Sequence, residues 1–325
     1  MTRALDDITR LLGQARSVLL AMHVAPDGDS AGSALALGLA LKRMGHEVRW
    51  VARDPVPERL RFLPGAQAVV QWDDALAYSY DAVVALDCAS QGRLGAPPTF
   101  WSSLPPLVNI DHHLGNPGFG TINWVDSRKS STGEMVAQLF RHAGWQVTAD
   151  EALCLWTAMS TDTLSFRQRN ANAATLGVAH WLVESSGLDV AEANRLIWDE
   201  RPLGEVRFLG WALSAMQVSD DRRFAWVVVS RRRMEEFNID ESGVDATVYH
   251  LLSVNTVEVA FLVREMAHSD QIKISWRGKA PWNVAKVAQA FGGGGHVYAA
   301  AAVVTGKPLE VVDAVIAQLN GGGTG

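Results

Sequence analysis

Three short apolar segments in the N-terminal half of the chain each end in a histidine or an aspartate. They are residues 17–22, followed by His23; residues 82–86, followed by Asp87; and residues 107–110, followed by Asp111. Each segment is typical of a strand buried on both faces of a parallel sheet. Because helix-like segments separate these strands, we predict an α/β fold whose N-terminal domain is a doubly wound parallel sheet.

The first of these strands leads into a turn that carries His23, Asp27 and Asp29 ahead of a helix predicted over 31–41. In an open α/β sheet such a turn lies at the carboxyl edge, where ligands bind. Two carboxylates so close together are difficult to ionise without a cation, and His with carboxylates is a ligand set for a divalent metal such as Mn²⁺. The alternative is a polar turn in which Asp29 or Ser30 caps the helix.

Further acidic and histidine side chains follow the later strands. The whole group comprises His23, Asp27, Asp29, Asp87, Asp111, His112 and His113, with Asp162 able to reach the same edge from the end of a predicted helix. Buried carboxylates are costly unless they are paired or bound to metal, so three such strand ends in succession favour a metal centre. The group could supply two sites that share one bridging carboxylate. Two metals about 3.5–4 Å apart clamp the attacking and leaving oxygens of a phosphoryl displacement.

Length, charge and cysteine content restrict the class of protein. A chain of 325 residues is long enough for two domains. The net charge of −6 argues against wrapping a long nucleic acid, but it allows a short phosphorylated ligand in a local basic pocket. Cys88 and Cys154 give no disulfide framework, and we see neither a signal peptide nor an apolar run that could span a bilayer. We therefore expect a cytoplasmic protein.

A shift in composition after Gly187 predicts the domain limits. We expect an N-terminal domain over 1–187, a helical linker over 188–218 and a smaller C-terminal α/β domain over 219–325. Within the first domain, the sequence Ser-Thr-Gly-Glu at 131–134 predicts a capping box that begins a helix. Within the second, Gly292–Gly295 precede His296, and such glycines let backbone amides approach a phosphate. The alternative for that run is a plain flexible loop.

The motifs together resemble those of the DHH phosphoesterase superfamily. They are His-x-x-x-Asp-x-Asp from His23, the strand-end Asp87, the triplet Asp111-His112-His113 and the sequence Thr-Asp-Thr around Asp162. The glycine run before His296 resembles the DHH-associated C-terminal domain. The resemblance covers nearly the whole chain and is greatest to the bacterial nanoRNase/pAp phosphatase branch.

The resemblance implies a role for each residue at the predicted sheet edge. One metal would be held by His23, Asp27 and Asp87, and the other by Asp29, Asp87, His112 and Asp162, with Asp87 bridging. The family metal is usually Mn²⁺, with Mg²⁺ and Co²⁺ as alternatives. His113 would bind the scissile phosphate or protonate the leaving oxygen. Asp111 would orient a histidine, or it could simply cap the end of its strand.

The resemblance also implies that the C-terminal domain binds substrate, with the active site in the cleft between the domains. The residues concerned are Arg264, Arg277, Gly293, Gly294, Gly295 and His296. Arginine suits bidentate phosphate contacts, although either arginine alone could be a solvated surface charge. Two departures from the family pattern, Val297-Tyr298 after His296 and alanine at 301, concern recognition of the base.

The implied function is Mn²⁺-dependent hydrolysis of short oligonucleotides to mononucleotides by two-metal activation of water. A second expected substrate is 3′-phosphoadenosine 5′-phosphate. One alternative is a phosphodiesterase of cyclic or linear dinucleotides; another, of a different class, is a nucleotide-binding regulator without catalysis, against which the full ligand set argues. The glycine run disfavours an inorganic pyrophosphatase, and the chain's length and acidity disfavour a processive exonuclease. A homodimer is a family expectation.

Overall fold

A computed structural model describes residues 2–101, 105–239, 241–266 and 270–322. The chain divides into two compact units, the first ending at Glu200 and the second beginning at Arg201. This boundary falls inside the segment 188–218 that we predicted as a linker, and the domain limits themselves remain a prediction. Within the described ranges, no helix combines the length and the apolar character that a bilayer crossing requires.

The first unit is built on a parallel sheet of six strands. They are β1 (Ser17–Ala21), β2 (Glu47–Val51), β3 (Val69–Val70), β4 (Ala82–Leu86), β5 (Leu107–Asp111) and β6 (Ile122–Val125). Their order across the sheet is β3-β2-β1-β4-β5-β6. The winding direction reverses between β1 and β4, and ligands of open α/β sheets bind outside the carboxyl ends of the strands at such a point. The predicted parallel α/β fold is confirmed.

Helices cover both faces of this sheet. They are α1 (Thr2–Gln14), α2 (Gly28–Arg43), α3 (Trp72–Leu76), α4 (Pro98–Trp101), α5 (Thr132–Ala143), α6 (Ala149–Asp162), α7 (Ala173–Ser186) and α8 (Val190–Asn194), with a π-helical turn at Arg195–Asp199. Alternate strand residues enter different cores, Leu20 and Val84 on one side and Leu19 and Val83 on the other. This alternation explains why β4, and β1 from Val18 onward, are apolar without interruption. Strand β6 was not predicted, because it is only four residues long and most of its side chains are only half-buried.

Glycine brings two of the site-bearing helices together. A Cβ atom added to Gly28, at the start of α2, would collide with the side chain of Thr161 in the last turn of α6. One turn further along α2, a Cβ on Gly32 would collide with the carbonyl oxygen of Cys154. The close antiparallel contact of α2 with α6 therefore depends on these glycines. It carries Asp29 and Asp162 to the same edge of the sheet.

The second unit contains a different kind of sheet. Its strands are β7 (Gln217–Val218), β8 (Phe224–Val229), β9 (Val259–Glu265), β10 (Gln271–Gly278), β11 (Gly294–His296) and β12 (Ala299–Thr305). Their order is β11-β12-β10-β9-β8-β7. Among the described strands of this second unit, only the β8–β9 pair is parallel. The helices are α9 (Leu203–Ala215), α10 (Arg231–Phe237), α11 (Glu241–Ala246), α12 (Val248–Leu252), α13 (Val284–Gln289) and α14 (Pro308–Asn320). The predicted smaller α/β unit is confirmed.

Candidate metal centre

His23 lies buried just beyond β1, at the switch point of the sheet. Its Nδ1 donates to the carbonyl oxygen of Val24 at 2.8 Å, because a carbonyl can only accept. Its Nε2 consequently faces Asp27 Oδ1 at 3.5 Å and Asp87 Oδ2 at 3.4 Å. Burial opposes a charge on the ring, but these two carboxylates outweigh it and raise the pKa of His23 to about 10. The same Nε2 atom is the one that a cation would use.

Asp27 is the residue that caps α2. Its Oδ1 accepts from the amides of Asp29 and Ser30 at 3.1 Å each. The alternative in which Asp29 or Ser30 caps the helix is therefore wrong, because the chain is still extended at Asp27 and is already helical at Gly28. One oxygen of Asp27 thus fixes the helix start, and the same side chain faces His23.

Asp29 is fixed by the start of another helix. Its Oδ2 accepts from the amide of Thr132 at 2.7 Å and its Oδ1 from the amide of Gly133 at 2.8 Å. Amides in the first turn of a helix have no intrahelical partner and attract negative charge. Even so, burial and the charges of Asp87 and Asp162 raise the pKa of Asp29 well above its usual range.

Asp87 follows β4 and faces histidines on two sides. Its Oδ2 is 3.4 Å from Nε2 of His23, and its Oδ1 is 3.6 Å from Nε2 of His112 and 3.6 Å from Nδ1 of His113. Burial would raise the pKa of Asp87, but the neighbouring histidines hold it below its usual range. Its φ of 59° is left-handed, a conformation that costs a non-glycine residue about 1–2 kcal/mol and that collects at functional sites. The two oxygens of Asp87 thus face different histidines, and its bridging role remains a prediction.

His112 lies beyond the end of β5 and points into the same group. Its Nδ1 donates to the carbonyl oxygen of Lys129 at 3.3 Å. Its Nε2 is 3.6 Å from Asp29 Oδ2 and 3.7 Å from Asp162 Oδ2. Asp162 is the last residue of α6; burial and the charges of nearby carboxylates raise its pKa to about 7, although His112 acts in the opposite direction.

The buried carboxylate of Asp111 holds His113 in place. Its Oδ1 accepts from His113 Nδ1 at 2.8 Å and its Oδ2 from Asn116 Nδ2 at 2.6 Å. These contacts favour the orienting role of Asp111 over a strand-end cap. Burial would lower the pKa of His113, but the bond to Asp111 and the charge of Asp87 raise it to about 9. His113 therefore carries a proton near neutral pH, and its side chain is 28% exposed against 7% for His112.

The donor atoms form three groups in which all atoms lie within 4.8 Å of one another. The groups are His23, Asp27 and Asp87; Asp29, His112 and Asp162; and Asp87, His112 and His113. The first is the set predicted for one metal, and the second contains three of the four residues predicted for the other. The third places His113 beside Asp87, which was not anticipated. The role of each residue remains a prediction.

The chemistry of these donors fits divalent cations. Imidazole nitrogen and carboxylate oxygen together suit first-row metals such as Mn²⁺ and the harder Mg²⁺. Burial and the repulsion among carboxylates together raise the pKa of Asp29 and Asp162, and a bound cation would relieve that repulsion. The residues present could therefore hold metal at this edge of the sheet.

Sequence analysis missed three polar side chains that support the donors. Thr132 donates through Oγ1 to Asp87 Oδ1 at 3.1 Å, and Asn170 donates to Asp162 Oδ2 at 3.3 Å. Asn116 binds Asp111 as described above. Isolated Thr and Asn residues carry no spacing signal, so only the folded chain identifies them.

The capping box predicted for 131–134 forms only in part. Ser131 Oγ accepts from the amide of Glu134 at 3.0 Å, as a helix cap should. The carboxylate of Glu134 instead reaches one residue further back and accepts from the amide of Ser130 at 3.0 Å. Because the side chain of Glu134 is fully buried, its carboxylate has to find hydrogen-bond partners inside the fold other than the helix cap.

Arg264, predicted to bind substrate phosphate, is already surrounded by carboxylates. Its buried guanidinium lies 2.8 Å and 2.9 Å from the two oxygens of Glu241, and its Nε is 3.5 Å from Asp245. A guanidinium neutralised in this way is not presented to an anionic ligand. These contacts favour a structural role for Arg264 over the predicted one.

We expect Arg264→Ala to lower the free energy of unfolding of the second unit by about 3 kcal/mol, because truncating this fully buried side chain removes its packing and leaves a cavity. Denaturation in urea, followed by circular dichroism, measures this. Arg232→Ala is the matched control, since Arg232 is 88% exposed in its pair with Glu236 and should matter little. An Arg264→Ala protein as stable as the control but defective in substrate binding would restore the phosphate role.

Arg264 and Arg277 lie at opposite ends of an antiparallel strand pair. Arg277 is paired with Ala260, four residues from Arg264 along β9, which is about 13 Å of strand. The backbone therefore places the two arginines well apart on the sheet. The guanidinium of Arg277 lies over the ring of Tyr249, 4.6 Å from its centroid, and donates to the carbonyl oxygen of Trp276.

His296 and Arg277 occupy one row of the second sheet. Arg277 pairs with Ala299, and Ala299 pairs with His296 on the next strand. The backbone thus brings these two predicted substrate-binding positions to the same end of the sheet. The side chain of His296 lies outside the described part of the structure.

Two of the glycines before His296, Gly294 and Gly295, belong to strand β11, so this segment is not a plain flexible loop. A Cβ on Gly293 or Gly295 would collide with the backbone of β12, and Gly295 has a φ of 143°. The amide of Gly293 donates to the carbonyl oxygen of Ala288 at 2.9 Å, so it is not offered to a phosphate. Gly294 meets nothing within 4 Å of an added Cβ, and phosphate binding by this segment remains a prediction for Gly294 and Gly295.

Comparison with known proteins agrees with this geometry. Residues 17–159 match the DHH family, N-terminal domain, and residues 224–321 match the DHHA1 domain. The chain is 34% identical over 313 residues to the bifunctional oligoribonuclease and PAP phosphatase NrnA of Thermus thermophilus, covering 94% of this chain and 91% of that protein. It is 26% identical over 317 residues to the protein of the same name from Bacillus subtilis, covering 96% of each.

A solved structure gives the same result for the fold. The crystal structure of an exopolyphosphatase-related protein from Bacteroides fragilis superposes with a TM-score of 0.88 at 25% identity, covering 98% of this chain and 96% of that one. A parallel sheet with His and Asp donors at its switch point, followed by a smaller α/β unit, is the architecture of a phosphoesterase hydrolase. The chain belongs to the DHH family of these enzymes and carries its DHHA1 domain.

Proposed function

We propose that the protein is a Mn²⁺-dependent exonuclease that hydrolyses short oligonucleotides to mononucleotides and also removes a phosphate from 3′-phosphoadenosine 5′-phosphate. The observation that carries the proposal is the meeting of six predicted ligands, drawn from four separate segments of the chain, at one sheet edge. Support for the substrates comes from the two NrnA relatives, which are similar over both units of the chain. Free thiols at Cys88 and Cys154 favour a cytoplasmic location.

The first unit would supply the reaction chemistry. Cations held by His23, Asp27, Asp29, Asp87, His112 and Asp162 would acidify a water and stabilise charge on the phosphate oxygens. Asp111 binds Nδ1 of His113, which leaves Nε2 as the atom that can hold a proton toward the substrate. We assign His113 the role of binding the scissile phosphate or protonating the leaving oxygen.

The second unit would bind the far end of the substrate. Arg277 keeps its predicted role, because its guanidinium is planar and suited to phosphate or base contacts and because it shares a row with His296. We leave Arg264 out of this set, because its contacts with Glu241 and Asp245 favour a structural role. Two of the predicted substrate-binding positions, Gly294 and Gly295, complete the set.

The proposal is tested by the length dependence of hydrolysis. The net charge of −6 means that affinity should not grow with each added phosphate. We therefore expect kcat/KM to be greatest for substrates of two to about five nucleotides and to fall for long single strands. The measurement uses end-labelled RNA and DNA of increasing length, with Asp87→Asn protein as the control for contaminating nucleases.

Further substrates separate the alternatives. Faster hydrolysis of cyclic dinucleotides than of linear oligonucleotides would favour the dinucleotide phosphodiesterase, and binding of nucleotides without turnover would favour the regulator. A rate that is flat or rises with length would contradict the proposal and point to a processive exonuclease. An enzyme that hydrolyses oligonucleotides but releases no phosphate from 3′-phosphoadenosine 5′-phosphate would contradict the proposed phosphatase activity.

A further inference from the structure

The peptide group that accepts from His23 also binds a carboxylate. Nδ1 of His23 donates to the carbonyl oxygen of Val24 at 2.8 Å. The amide nitrogen of the same peptide group belongs to Ala25, and it donates to Asp54 Oδ2 at 2.8 Å. The imidazole, one peptide group and one carboxylate therefore form a continuous chain of hydrogen bonds.

An equivalent chain lies behind His112. Nδ1 of His112 donates to the carbonyl oxygen of Lys129 at 3.3 Å. The amide of that peptide group belongs to Ser130, and it donates to Glu134 Oε2 at 3.0 Å. The carboxylate of Glu134, which does not close the predicted capping box, thus binds the peptide group whose carbonyl accepts from His112.

The two chains arise from unrelated parts of the sequence. Asp54 follows β2, whereas Glu134 lies in the first turn of α5. Each carboxylate binds the amide of a peptide whose carbonyl faces an imidazole. Ala25 has a left-handed φ of 51°, which alanine adopts at a cost, so its amide is held in a conformation that the chain alone would not favour.

The carboxylate of Glu134 makes more contacts within the fold than a helix cap requires. Its Oε2 also accepts from Ser130 Oγ at 2.8 Å and from Thr175 Oγ1 at 2.9 Å. Its Oε1 lies 3.2 Å from the ammonium group of Lys129. The position of the carboxylate is therefore set by the loop before α5 and by the start of α7, and the Lys129–Ser130 peptide is fixed with it.

We propose that Asp54 and Glu134 are positioning residues for His23 and His112, each acting through a single peptide group. A carboxylate on the amide polarises the peptide and strengthens its carbonyl as an acceptor. The stronger bond at Nδ1 fixes the ring and makes Nε2 a more basic ligand, as outer partners of metal-bound histidines do. His113 shows the direct form of the same arrangement, since its Nδ1 meets the carboxylate of Asp111.

The inference rests on the proposed function in one respect only, namely that Nε2 of each histidine binds a metal ion. The test uses Asp54→Asn and Glu134→Gln, which keep the side-chain shape and remove the charge. Two matched controls are carboxylates that bind backbone amides away from the histidines. They are Asp81→Asn, which accepts from Arg16 and Ser17, and Glu151→Gln, which is buried and accepts from Thr148.

Two readouts are made on each full-length protein. The first is the NMR resonance of the Nδ1–H of His23 and His112 in metal-free protein. We expect Asp54→Asn to move the His23 signal upfield and leave His112 unchanged, and Glu134→Gln to do the reverse. The second is calorimetric binding of Mn²⁺, for which we expect each variant to weaken one cation by about 10-fold, at the lower end of effects from outer partners.

Several results would overturn the inference. A purely structural role would be shown if the variants lose stability as the controls do while both histidine signals and the Mn²⁺ affinity stay unchanged. Equal changes at both histidines in either variant would also contradict it. Where a variant does not fold, couplings across the Ala25–Asp54 and Ser130–Glu134 hydrogen bonds in the wild-type protein decide instead, and their absence would overturn it. A wild-type protein that binds no divalent cation would sink the proposed function, while the metal-free readouts would still test the inference.

Discussion

Replacing Asp87 with Asn is expected to abolish hydrolysis of every substrate, with kcat/KM falling at least about 10³-fold. The two oxygens of Asp87 face His23 on one side and His112 and His113 on the other, so loss of this charge should disrupt both cation positions together. Cations contribute several kcal/mol of charge stabilisation in such reactions, and about 4 kcal/mol corresponds to that factor. Asn is preferable to Ala here because it tolerates the left-handed φ of 59° better.

The control for this variant is Asp126→Asn. Asp126 follows β6 at the same edge of the sheet, but its carboxylate pairs with exposed Arg128. It should retain normal turnover on oligonucleotides and on an activated phosphodiester. An Asp87→Asn enzyme that hydrolyses either substrate at more than a few per cent of the wild-type rate would contradict the bridging assignment.

The second large effect concerns the stability of the metal-free protein, which we expect to fall by about 2–4 kcal/mol between pH 6.5 and pH 9. The pKa values of His113 and His23 are raised from 6.5 to about 9 and about 10. Each histidine contributes stability that is fully present below pH 6.5 and is lost as the pH rises through its folded pKa.

Asp162 also makes the folded protein less stable as the pH rises, although it is a carboxyl group rather than a histidine. Its pKa is raised from 3.8 to about 7, so the folded state binds a proton that the unfolded state has already released. Its ionisation costs stability, and that cost is complete once the pH exceeds about 7. The signs for the histidines and for Asp162 therefore agree over this range.

Urea denaturation with a chelator at pH 6.5 and at pH 9 measures the effect. Excess Mg²⁺ should restore stability, and should do so more strongly at pH 9, because a metal competes with protons for the same donor atoms. In Asp87→Asn protein both the pH dependence and the response to Mg²⁺ should be smaller. A metal-free wild-type protein that is more stable at pH 9 than at pH 6.5 would contradict this account of the centre.

The sequence predicted the first unit well because its signals are local. Largely apolar strands that end in His or Asp define both the parallel sheet and the edge at which donors meet. His23, Asp87 and His112 could be placed from this pattern alone. Strand β6 escaped prediction because it is short and most of its side chains are only half-buried.

The supporting contacts could not be predicted, since they depend on the approach of distant segments. The bond from Thr132 to Asp87 spans 45 residues, and the bond from Thr132 to Asp29 spans 103. The contacts of Arg264 could not be predicted, because a strand-end arginine gives no indication of Glu241, which reaches it from a neighbouring helix. The antiparallel pairing of β9 with β10 places Arg277 at the opposite end of the strand pair from Arg264. The order of strands along the chain does not indicate this.

The most direct test of a two-cation phosphoesterase centre is a single titration. Metal-free protein receives Mn²⁺ in steps, and the rate of hydrolysis of a ribodinucleotide is recorded against the number of Mn²⁺ ions bound per chain. We expect little activity with one ion bound and a plateau when the second is bound. One donor group contains Asp87, and the other, formed by Asp29, His112 and Asp162, adjoins Asp87 through His112, whose Nε2 lies 3.6 Å from it. Full activity with no ion or one ion bound, or two ions bound without hydrolysis, would contradict the account.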